Sequence, residues 1–308
     1  MITTIAGGVG AARLLRGLVA VVAPAYITAV VNVADDVMIH GLYVCPDIDT
    51  VLYTLAEAVD PERGWGLADE SWQAMESLER YGGLTWFRLG DRDLGTHLYR
   101  TGRLHDGADL TTVTGEIARA WGLDLTVLPA TNDRLRTHIT TEDLGEIAFQ
   151  EYFVRERHSI PATGVRVEGV ESAKPAPGVL GAIAGAGTVI IAPSNPIVSV
   201  DPVLEVPGIR EAIAARRESV VAVSPIVGGR ALKGPADRLM LELGHEPSAA
   251  GIARFYAGLV GTLVIDEQDA ALAAAVEAEG LRCVVTQTVM HGRREAADLA
   301  RACLEAGR

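Results

Sequence analysis

Acidic side chains gather in one early part of the chain without basic residues around them. The segment 17–62 contains no Lys and no Arg. Its acidic residues are Asp35, Asp36, Asp47, Asp49, Glu57, Asp60 and Glu62. Carboxylates without counter-ions repel one another, and proteins accommodate them through raised pKa values, solvent exposure or a bound cation. The segment therefore indicates a metal site.

Four of these aspartates are candidate metal ligands. They form two close pairs, Asp35 with Asp36 and Asp47 with Asp49. Magnesium usually takes one or two carboxylates together with phosphate oxygens and water, so not all four can be ligands. Asp36 also suits a turn, and Asp49 precedes a helical pattern whose amino terminus it could stabilise. His40 is a further candidate, although a hydrogen-bonding loop histidine fits it better.

A glycine-rich turn precedes the acidic segment. Gly7, Gly8 and Gly10 follow an apolar strand pattern and open an amphipathic helix pattern, so backbone amides there can face an anion. Close packing of the strand and the helix explains such a turn equally well. The spacing differs from the dinucleotide fingerprint and lacks the Lys of the Walker loop, which disfavours conventional NAD or ATP binding. Together with the acids that follow, the turn predicts a site for phosphate and magnesium.

A later run places two guanidinium groups among acids and aromatic rings. In residues 86–93, Arg88 and Arg92 suit contact with phosphate or stacking on a flat ring. A salt-bridge cluster at a helix start is the alternative, and both interpretations stay open. His97 follows and could hold a substrate hydroxyl or pack in the interior.

The elements that must position these residues alternate between short apolar strands and Ala-rich amphipathic helices. This alternation predicts an α/β fold with a doubly wound, mainly parallel sheet. The predicted strands are 2–6, 26–33, 188–192, 219–223, 262–266 and 282–286. The predicted helices are 11–22, 208–216, 235–243, 269–279 and 293–305.

Four polar turns follow the carboxyl ends of predicted strands. They are 7–10, 32–36, 193–196 and 224–226. Ligands of open parallel sheets bind outside those ends, so we expect the turns to converge on one site. Ser194, Asn195 and Ser224 could instead only cap helices or stabilise turns. Convergence favours a site role for Asn195, and only marginally one for Ser224.

The middle of the chain has helical patterns and few strands. We expect helices at 50–58, 70–81, 93–103 and 110–121, followed by a hairpin within 136–153. All four Trp residues lie before that hairpin, which indicates a second cluster beside the sheet. These patterns predict an α/β core of residues 1–40 and 159–308, interrupted by a mainly helical insertion of residues 41–158.

The composition is that of a globular protein. The 308 residues carry a formal net charge of −13, which argues against non-specific binding to nucleic acid. No apolar run reaches the roughly 18 residues that span a bilayer. The first residues lack a secretory pattern, so we expect a cytoplasmic location without membrane association. Cys45, Cys283 and Cys303 have no metal or redox spacing and are expected to be reduced structural thiols.

Taken together, the motifs resemble those of the 2-phospho-L-lactate transferases, a family that includes the bacterial phosphoenolpyruvate transferases of coenzyme F420 biosynthesis. The resemblance runs in order through nearly the whole chain. The matching segments are AGGVGAARLLRGL, VVNVADDVMIHGLYVCPDIDTVLYTLAEAVDPERGWG, LGDRDLGTHLYR, LPATNDRLRTHI, FQEYFVR, IAPSNPIVSVDPVLEVPGIREAI and GPADRLM.

This resemblance implies an activity and its requirements. A phosphoenolpyruvyl or 2-phospholactyl group would pass from a guanosine diphosphate-linked donor to the hydroxyl of the deazaflavin FO, with release of GMP. The resemblance further implies Mg²⁺ as cofactor, a homodimer, a nucleotide-binding core and an insertion that covers the acceptor site.

Carried over residue by residue, the resemblance assigns roles within the candidate site. The metal ligands match Asp35 and Asp47. The FO contacts match Asp49 and Arg88, of which Arg88 varies among relatives. The residues on the nucleotide side match Gly7, Gly8, Gly10, Ala11, Ser194 and Asn195. As the two catalytic residues, Asp49 is expected to orient the acceptor hydroxyl and Arg92 to stabilise the transferring group.

Two other classes of protein remain open from the sequence. One is a regulatory binding protein on the same scaffold, resembling the gluconeogenesis-factor proteins, and the other is a conventional nucleotide-sugar transferase or dehydrogenase. The segments 35–50 and 89–93 favour the transferase, because the regulatory relatives carry different residues there. Donors with enolpyruvate, lactate or glycerate differ by only a few atoms, and similarity to bacterial members favours enolpyruvate.

Overall fold

A computed structural model describes residues 1–308 as fourteen strands and twelve α-helices. The strands are β1 (Ile2–Ala6), β2 (Ile27–Val31), β3 (Val37–Ile39), β4 (Leu42–Val44), β5 (Thr126–Pro129), β6 (Arg136–Thr141), β7 (Gly145–Ala148), β8 (Ala162–Glu168), β9 (Thr188–Ile191), β10 (Val220–Val223), β11 (Ile226–Val227), β12 (Arg230–Ala231), β13 (Thr262–Asp266) and β14 (Arg282–Thr286). The helices are α1 (Gly8–Val21), α2 (Pro46–Leu55), α3 (Gln73–Arg80), α4 (Asp93–His105), α5 (Leu110–Ala120), α6 (Val179–Gly185), α7 (Asp201–Glu205), α8 (Ile209–Ala214), α9 (Ala236–Glu242), α10 (Ala249–Phe255), α11 (Ala273–Ala278) and α12 (Arg293–Ala306). Short 3₁₀ helices are Pro24–Tyr26, Val170–Ser172, Arg217–Ser219 and Glu267–Leu272, and single π-helical turns are Glu151–Arg155 and Pro196–Val200.

Seven strands form the central sheet, and each pairs with its neighbours in parallel. Their order is β14-β13-β10-β9-β1-β2-β5. The chain builds outward from β1 to β5 and then returns to the other side of β1, so the direction of winding reverses between β1 and β9. The predicted doubly wound α/β fold is confirmed. Such a reversal is where ligands bind in sheets of this kind.

Continuous burial explains why the predicted strands form the centre. Every residue of β1 and β2 is buried, as expected of parallel strands covered by helices on both faces. Helix α1 packs against α2 and α12, with its leucines buried. A single cluster of 77 buried residues joins the sheet to its helices. No helix combines the length and the apolar character that crossing a membrane requires.

The middle of the chain adds smaller units around the sheet. The hairpin of β3 and β4 shares a second core with α3, made of Ile39, Val44, Met75 and Leu89. The predicted hairpin within 136–153 is present as β6 and β7. A third strand, β8, completes that antiparallel sheet, and β11 and β12 form a separate ribbon.

Two strands differ from the predicted division into core and insertion. Strand β5 lies within the range 41–158 but pairs with β2 at the edge of the central sheet. Strand β8 lies after that range but pairs with β6. The segment 41–158 therefore contributes one strand to the core. The division into 1–40 with 159–308 and an insertion of 41–158 otherwise stays a prediction.

Gly10 permits a close approach between α1 and the turn after β9. A Cβ atom at Gly10 would lie 2.2 Å from the carbonyl oxygen of Pro193. We therefore expect Gly10→Ala to lower the free energy of unfolding by about 1 to 3 kcal/mol, the usual cost of overpacking. Chemical denaturation would measure this, with Gly181→Ala as the control. Gly181 lies in α6 with open space around its Cβ position, so that change should stabilise by about 0.5 to 1 kcal/mol.

Candidate active site

A cavity of about 540 Å³ lies at the carboxyl ends of β1, β2 and β9. Most of the residues that the sequence predicted for the site line it. These are Gly7, Gly8, Gly10, Asp35, Asp47, Asp49, Arg88, Ser194 and Asn195. The predicted convergence of separate turns on one site is therefore present in the structure. Ala11 is buried within α1 and does not line the cavity.

Asp47 joins the glycine turn to the end of β2. It lies in the first turn of α2, where its Oδ1 accepts a hydrogen bond from the Gly8 amide at 2.8 Å. Its Oδ2 accepts one from Asn32 Nδ2 at 3.0 Å. Burial raises the pKa of Asp47 to about 6, although both hydrogen bonds act in the opposite direction. Gly7 leaves room for this contact, since a Cβ there would lie 2.9 Å from Asp47 Oδ2.

Asp35 is a buried carboxylate without adequate compensation. Its Oδ1 has no hydrogen-bond partner, while its backbone carbonyl accepts from Gln150 Nε2 at 2.9 Å. Burial raises the pKa of Asp35 well above its ordinary value, and the neighbouring charge of Asp47 raises it further. Two buried carboxylates that repel each other beside a phosphate-type turn fit a divalent cation.

The protein offers such a cation only part of its coordination. No group of three His, Cys, Asp or Glu side chains is arranged to hold a metal ion. Magnesium suits a pair of carboxylates because it normally keeps water and phosphate oxygens as its other ligands. Asp36 does not line the cavity, and His40 is exposed in a loop with φ of 54°. These positions favour the turn interpretation of Asp36 and the loop interpretation of His40.

Asp49 is held by a partner that the sequence did not reveal. Its carboxylate forms a two-pronged ion pair with the fully buried Arg100, with Nη1 at 3.1 Å from Oδ2 and Nη2 bonded to Oδ1. Arg100 also lies 3.3 Å from His97 Nδ1. Tyr53 donates to Asp93 Oδ1 at 2.5 Å, and His97 Nε2 lies 3.2 Å from Asp93 Oδ2.

These network residues follow a helical spacing. Asp93, His97 and Arg100 are four and three residues apart, so they share one face of α4 that meets α2. The spacing could have identified this face, but only the fold shows that Asp49 lies opposite it. His97 is buried within the network and also lines the cavity, so its packing in the interior and contact with a substrate hydroxyl both stay open.

The two arginines of the run 86–93 have different positions. Arg88 lines the cavity, with its guanidinium carbon 4.5 Å from the ring centre of Trp72. Arg92 does not line the cavity, and its Nη1 donates to the Ala68 carbonyl at 2.6 Å. Its position gives no support to the catalytic role predicted for it.

The turn after β9 has a structural role as well as a place at the cavity. Ser194 donates to the Gly7 carbonyl at 2.8 Å and so ties this turn to the glycine turn. Asn195 accepts from the Ile197 amide at 3.0 Å, as a capping residue does. Both residues also line the cavity, so the two roles coexist. Ser224 closes its own turn by bonding with the backbone of Ile226.

An aromatic wall closes another side of the cavity. The rings of Phe149 and Phe153 are stacked at 5.5 Å with an interplanar angle of 15°. Phe153 and His158 are stacked at 5.6 Å and 26°. All three side chains line the cavity, which suits a flat ring system. Phe149 and Phe153 belong to the segment FQEYFVR, whose resemblance to the family suggested no role for them, and His158 lies three residues beyond that segment.

A second cavity of about 320 Å³ adjoins the first. The two share Val9, Gly10, Pro193, Asn195 and Lys233. The second cavity extends to the turns that follow β10 and β14. It lies on the other side of the switch point from the aspartates.

The parallel sheet and the polar cavity at its switch point define a protein of the Rossmann-like α/β class. The family model described as 2-phospho-L-lactate transferase CofD matches residues 2–300. The chain belongs to this family and is a transferase of its type.

Curated relatives agree with the family model. The phosphoenolpyruvate transferase of Streptomyces griseus is 45% identical over 99% of this chain and 97% of its own length. That of Streptomyces coelicolor is 44% identical over 98% of this chain and 97% of its own. The enzyme of that name from Thermobifida fusca is 43% identical over 91% of each chain.

A solved structure confirms the architecture. The crystal structure of a UPF0052 family member from Bacillus halodurans matches with a TM-score of 0.64, 23% identity and 98% coverage of both chains. At this identity the likeness shows the fold alone.

Proposed function

We propose that this protein transfers a phosphoenolpyruvyl group from a guanosine diphosphate-linked donor to the hydroxyl of FO, with release of GMP, in coenzyme F420 biosynthesis. The observation that carries the proposal is the pair of buried aspartates, Asp35 and Asp47, beside the glycine turn of a chain from this family. The names of the relatives support enolpyruvate over lactate as the group carried by the donor. The homodimer remains a prediction.

Asp35 and Asp47 would hold the magnesium ion. When bound, magnesium supplies positive charge to a diphosphate, which a loose phosphoryl-transfer transition state requires more than covalent help. The chain adds backbone donors from the amino terminus of α1. Gly8 already donates to Asp47, so the free amides of that first turn are those of Val9 and Gly10.

The acceptor would occupy the insertion side of the cavity. The stacked Phe149, Phe153 and His158 offer a surface for the deazaflavin ring. Asp49 would accept a hydrogen bond from the reacting hydroxyl, because its two-pronged ion pair with Arg100 fixes the direction of its carboxylate. Arg88, which also lines the cavity, would contact the acceptor as well. In this arrangement no step depends on Arg92.

A turnover assay tests the proposal. Purified protein is incubated with FO, magnesium and a guanosine-linked donor that carries enolpyruvate, with the lactate donor in parallel. We expect a more acidic deazaflavin and one equivalent of GMP, formed faster from the enolpyruvate donor. Binding of nucleotide without either product would contradict the proposal and favour the regulatory binding protein. Preference for lactate would correct only the identity of the donor.

A further inference from the structure

The two adjoining cavities differ in the charge of their walls. The first is lined by four aspartates, Asp35, Asp47, Asp49 and Asp93. The second has no Asp or Glu in its lining, although it does include Arg13, Lys233 and His291. In a chain with a net charge of −13, an acid-free cavity that contains basic side chains is suited to an anion.

Lys233 lies where the two cavities meet. It follows β12 and immediately precedes the segment that leads into α9. Its Nζ donates to the Arg63 carbonyl at 2.6 Å, and no carboxylate lies within 4.0 Å of it. The ammonium group therefore connects the core to the loop before α3 without being neutralised.

A second cation near Lys233 adds to this imbalance. Partial burial lowers the pKa of Lys233, and the charge of Arg13 lowers it further. Arg13 forms no ion pair either, since its guanidinium donates only to the Met290 carbonyl, at 3.4 Å. Two like charges held close without a counter-ion are stabilised when an anion binds between them. The glycine turn borders both cavities, with Lys233 and Arg13 at the second and the aspartates at the first. A diphosphate at this turn could therefore be held by the cations on one side and by an aspartate-bound metal ion on the other.

We infer that Lys233 is a catalytic residue that contacts the donor diphosphate and stabilises the charge of the leaving phosphate. The inference rests on the proposed function. In that reaction the acceptor oxygen bonds to the phosphorus that carries the enolpyruvyl group, and the bond from this phosphorus to the bridging oxygen breaks. The bridging oxygen leaves with GMP, the acceptor proton passes to solvent, and negative charge grows on the leaving group. A fixed ammonium there lowers the barrier.

Substitutions at Lys233 separate its charge from its hydrogen bond. Lys233→Gln keeps a donor for the Arg63 carbonyl but removes the charge, whereas Lys233→Arg keeps the charge. We expect Lys233→Gln to lower kcat by about 100- to 1,000-fold, a range typical of lost electrostatic stabilisation, with less than a tenfold rise in the donor KM. Lys233→Arg should recover much of the loss. Lys174→Met, at the other lysine of the chain, is exposed and should behave as the unchanged protein.

Calorimetry with magnesium pyrophosphate tests the site without FO or donor. We expect Lys233→Gln to weaken pyrophosphate binding by about tenfold, a loss of about 1.4 kcal/mol, with an unchanged thermal midpoint.

Equal affinity of the two proteins for pyrophosphate, or no binding by either, would overturn the assignment of Lys233, as would near-normal kcat in Lys233→Gln. If FO is not converted by the unchanged protein, the proposed function fails. The assignment of Lys233 as an anion contact is then decided by the pyrophosphate result alone.

Discussion

Asp35→Asn is expected to abolish turnover and, at the same time, to raise the stability of the metal-free protein. In the native chain this carboxylate is buried with Oδ1 unpartnered and with Asp47 nearby. An amide of the same shape has no charge to bury, so the free energy of unfolding should rise by about 1 to 3 kcal/mol, the usual cost of an unsatisfied buried group. Turnover should fall more than about 100-fold. Substitution of a residue that only hydrogen-bonds to a metal ligand already lowers metal affinity or activity by about 10- to 100-fold, and Asp35 is proposed to be a ligand itself.

The adjacent Asp36 provides a matched control. Both of its carboxylate oxygens are buried without a partner, and burial raises its pKa well above the ordinary value. It does not line the cavity, however. Asp36→Asn should therefore stabilise the protein in the same way and leave turnover unchanged. Thermal and chemical denaturation measure the stability of both variants, and the turnover assay with FO and the guanosine-linked donor measures their activity.

The pH dependence of stability provides an independent check. A carboxyl whose folded pKa is raised favours the folded state most at low pH, and this contribution is lost as pH rises from the unfolded pKa through the folded one. For Asp47 that window runs from about 3.8 to about 6. Asp35 acts in the same direction, so the stability gained by Asp35→Asn should grow as pH rises from 4 to 7. A variant that is less stable than the native chain at pH 7 would contradict the argument.

The position of the site was predictable because its parts are local. The glycine turn and the pair Asp35 and Asp36 each follow a continuous apolar strand pattern, and the geometry of parallel sheets brings such turns together. Asp47 and Asp49 reach the same place from the first turn of α2. The predicted strands 2–6 and 262–266 coincide with β1 and β13, in which every residue is buried, and burial on both faces leaves little freedom in how such segments can fold. The predicted strand 282–286 coincides with β14, which lies at the edge of the sheet and is only partly buried.

Strand β5 was missed because its signal is weak. It has four residues, begins with an exposed Thr126 and ends in Pro129. A strand at the edge of a sheet tolerates a proline that a central strand would exclude. Helical patterns precede it, and its pairing with β2 joins residues almost 100 positions apart. Such a pairing follows from the fold and has no local pattern.

The positions of Arg88 and Arg92 show that nearness in sequence does not by itself imply a shared place at the cavity, and the catalytic role of Arg92 stays a prediction. Arg88 and Arg92 are four residues apart, yet a chain turn separates them, and only Arg88 lines the cavity. Lys233 is a cation that lies where the two cavities meet, and it belongs to the last third of the chain. No spacing in the sequence relates it to the glycine turn.

Arg100→Met is expected to produce the largest loss of stability among single substitutions near the site. Arg100 is fully buried, and its guanidinium pairs with both oxygens of Asp49. Burial acts to lower the pKa of Arg100, but the charge and hydrogen bond of Asp49, together with the acidic groups of Cys45 and Tyr53, raise this pKa overall. Removal of Arg100 leaves Asp49 buried and uncompensated, which typically costs about 3 to 5 kcal/mol. Urea denaturation would measure the loss.

Two further variants determine whether the pair itself causes that loss. Arg103→Met on the same helix removes a more exposed pair with Glu116, and we expect it to cost no more than about 1 kcal/mol. The double variant Asp49→Leu with Arg100→Met removes both charges and should regain most of the stability, because an apolar pair of similar volume can replace a buried ion pair. Losses that simply add would show no coupling and contradict this account. The double variant should still lack turnover, because Asp49→Leu removes the cavity-lining carboxylate proposed to orient the acceptor hydroxyl.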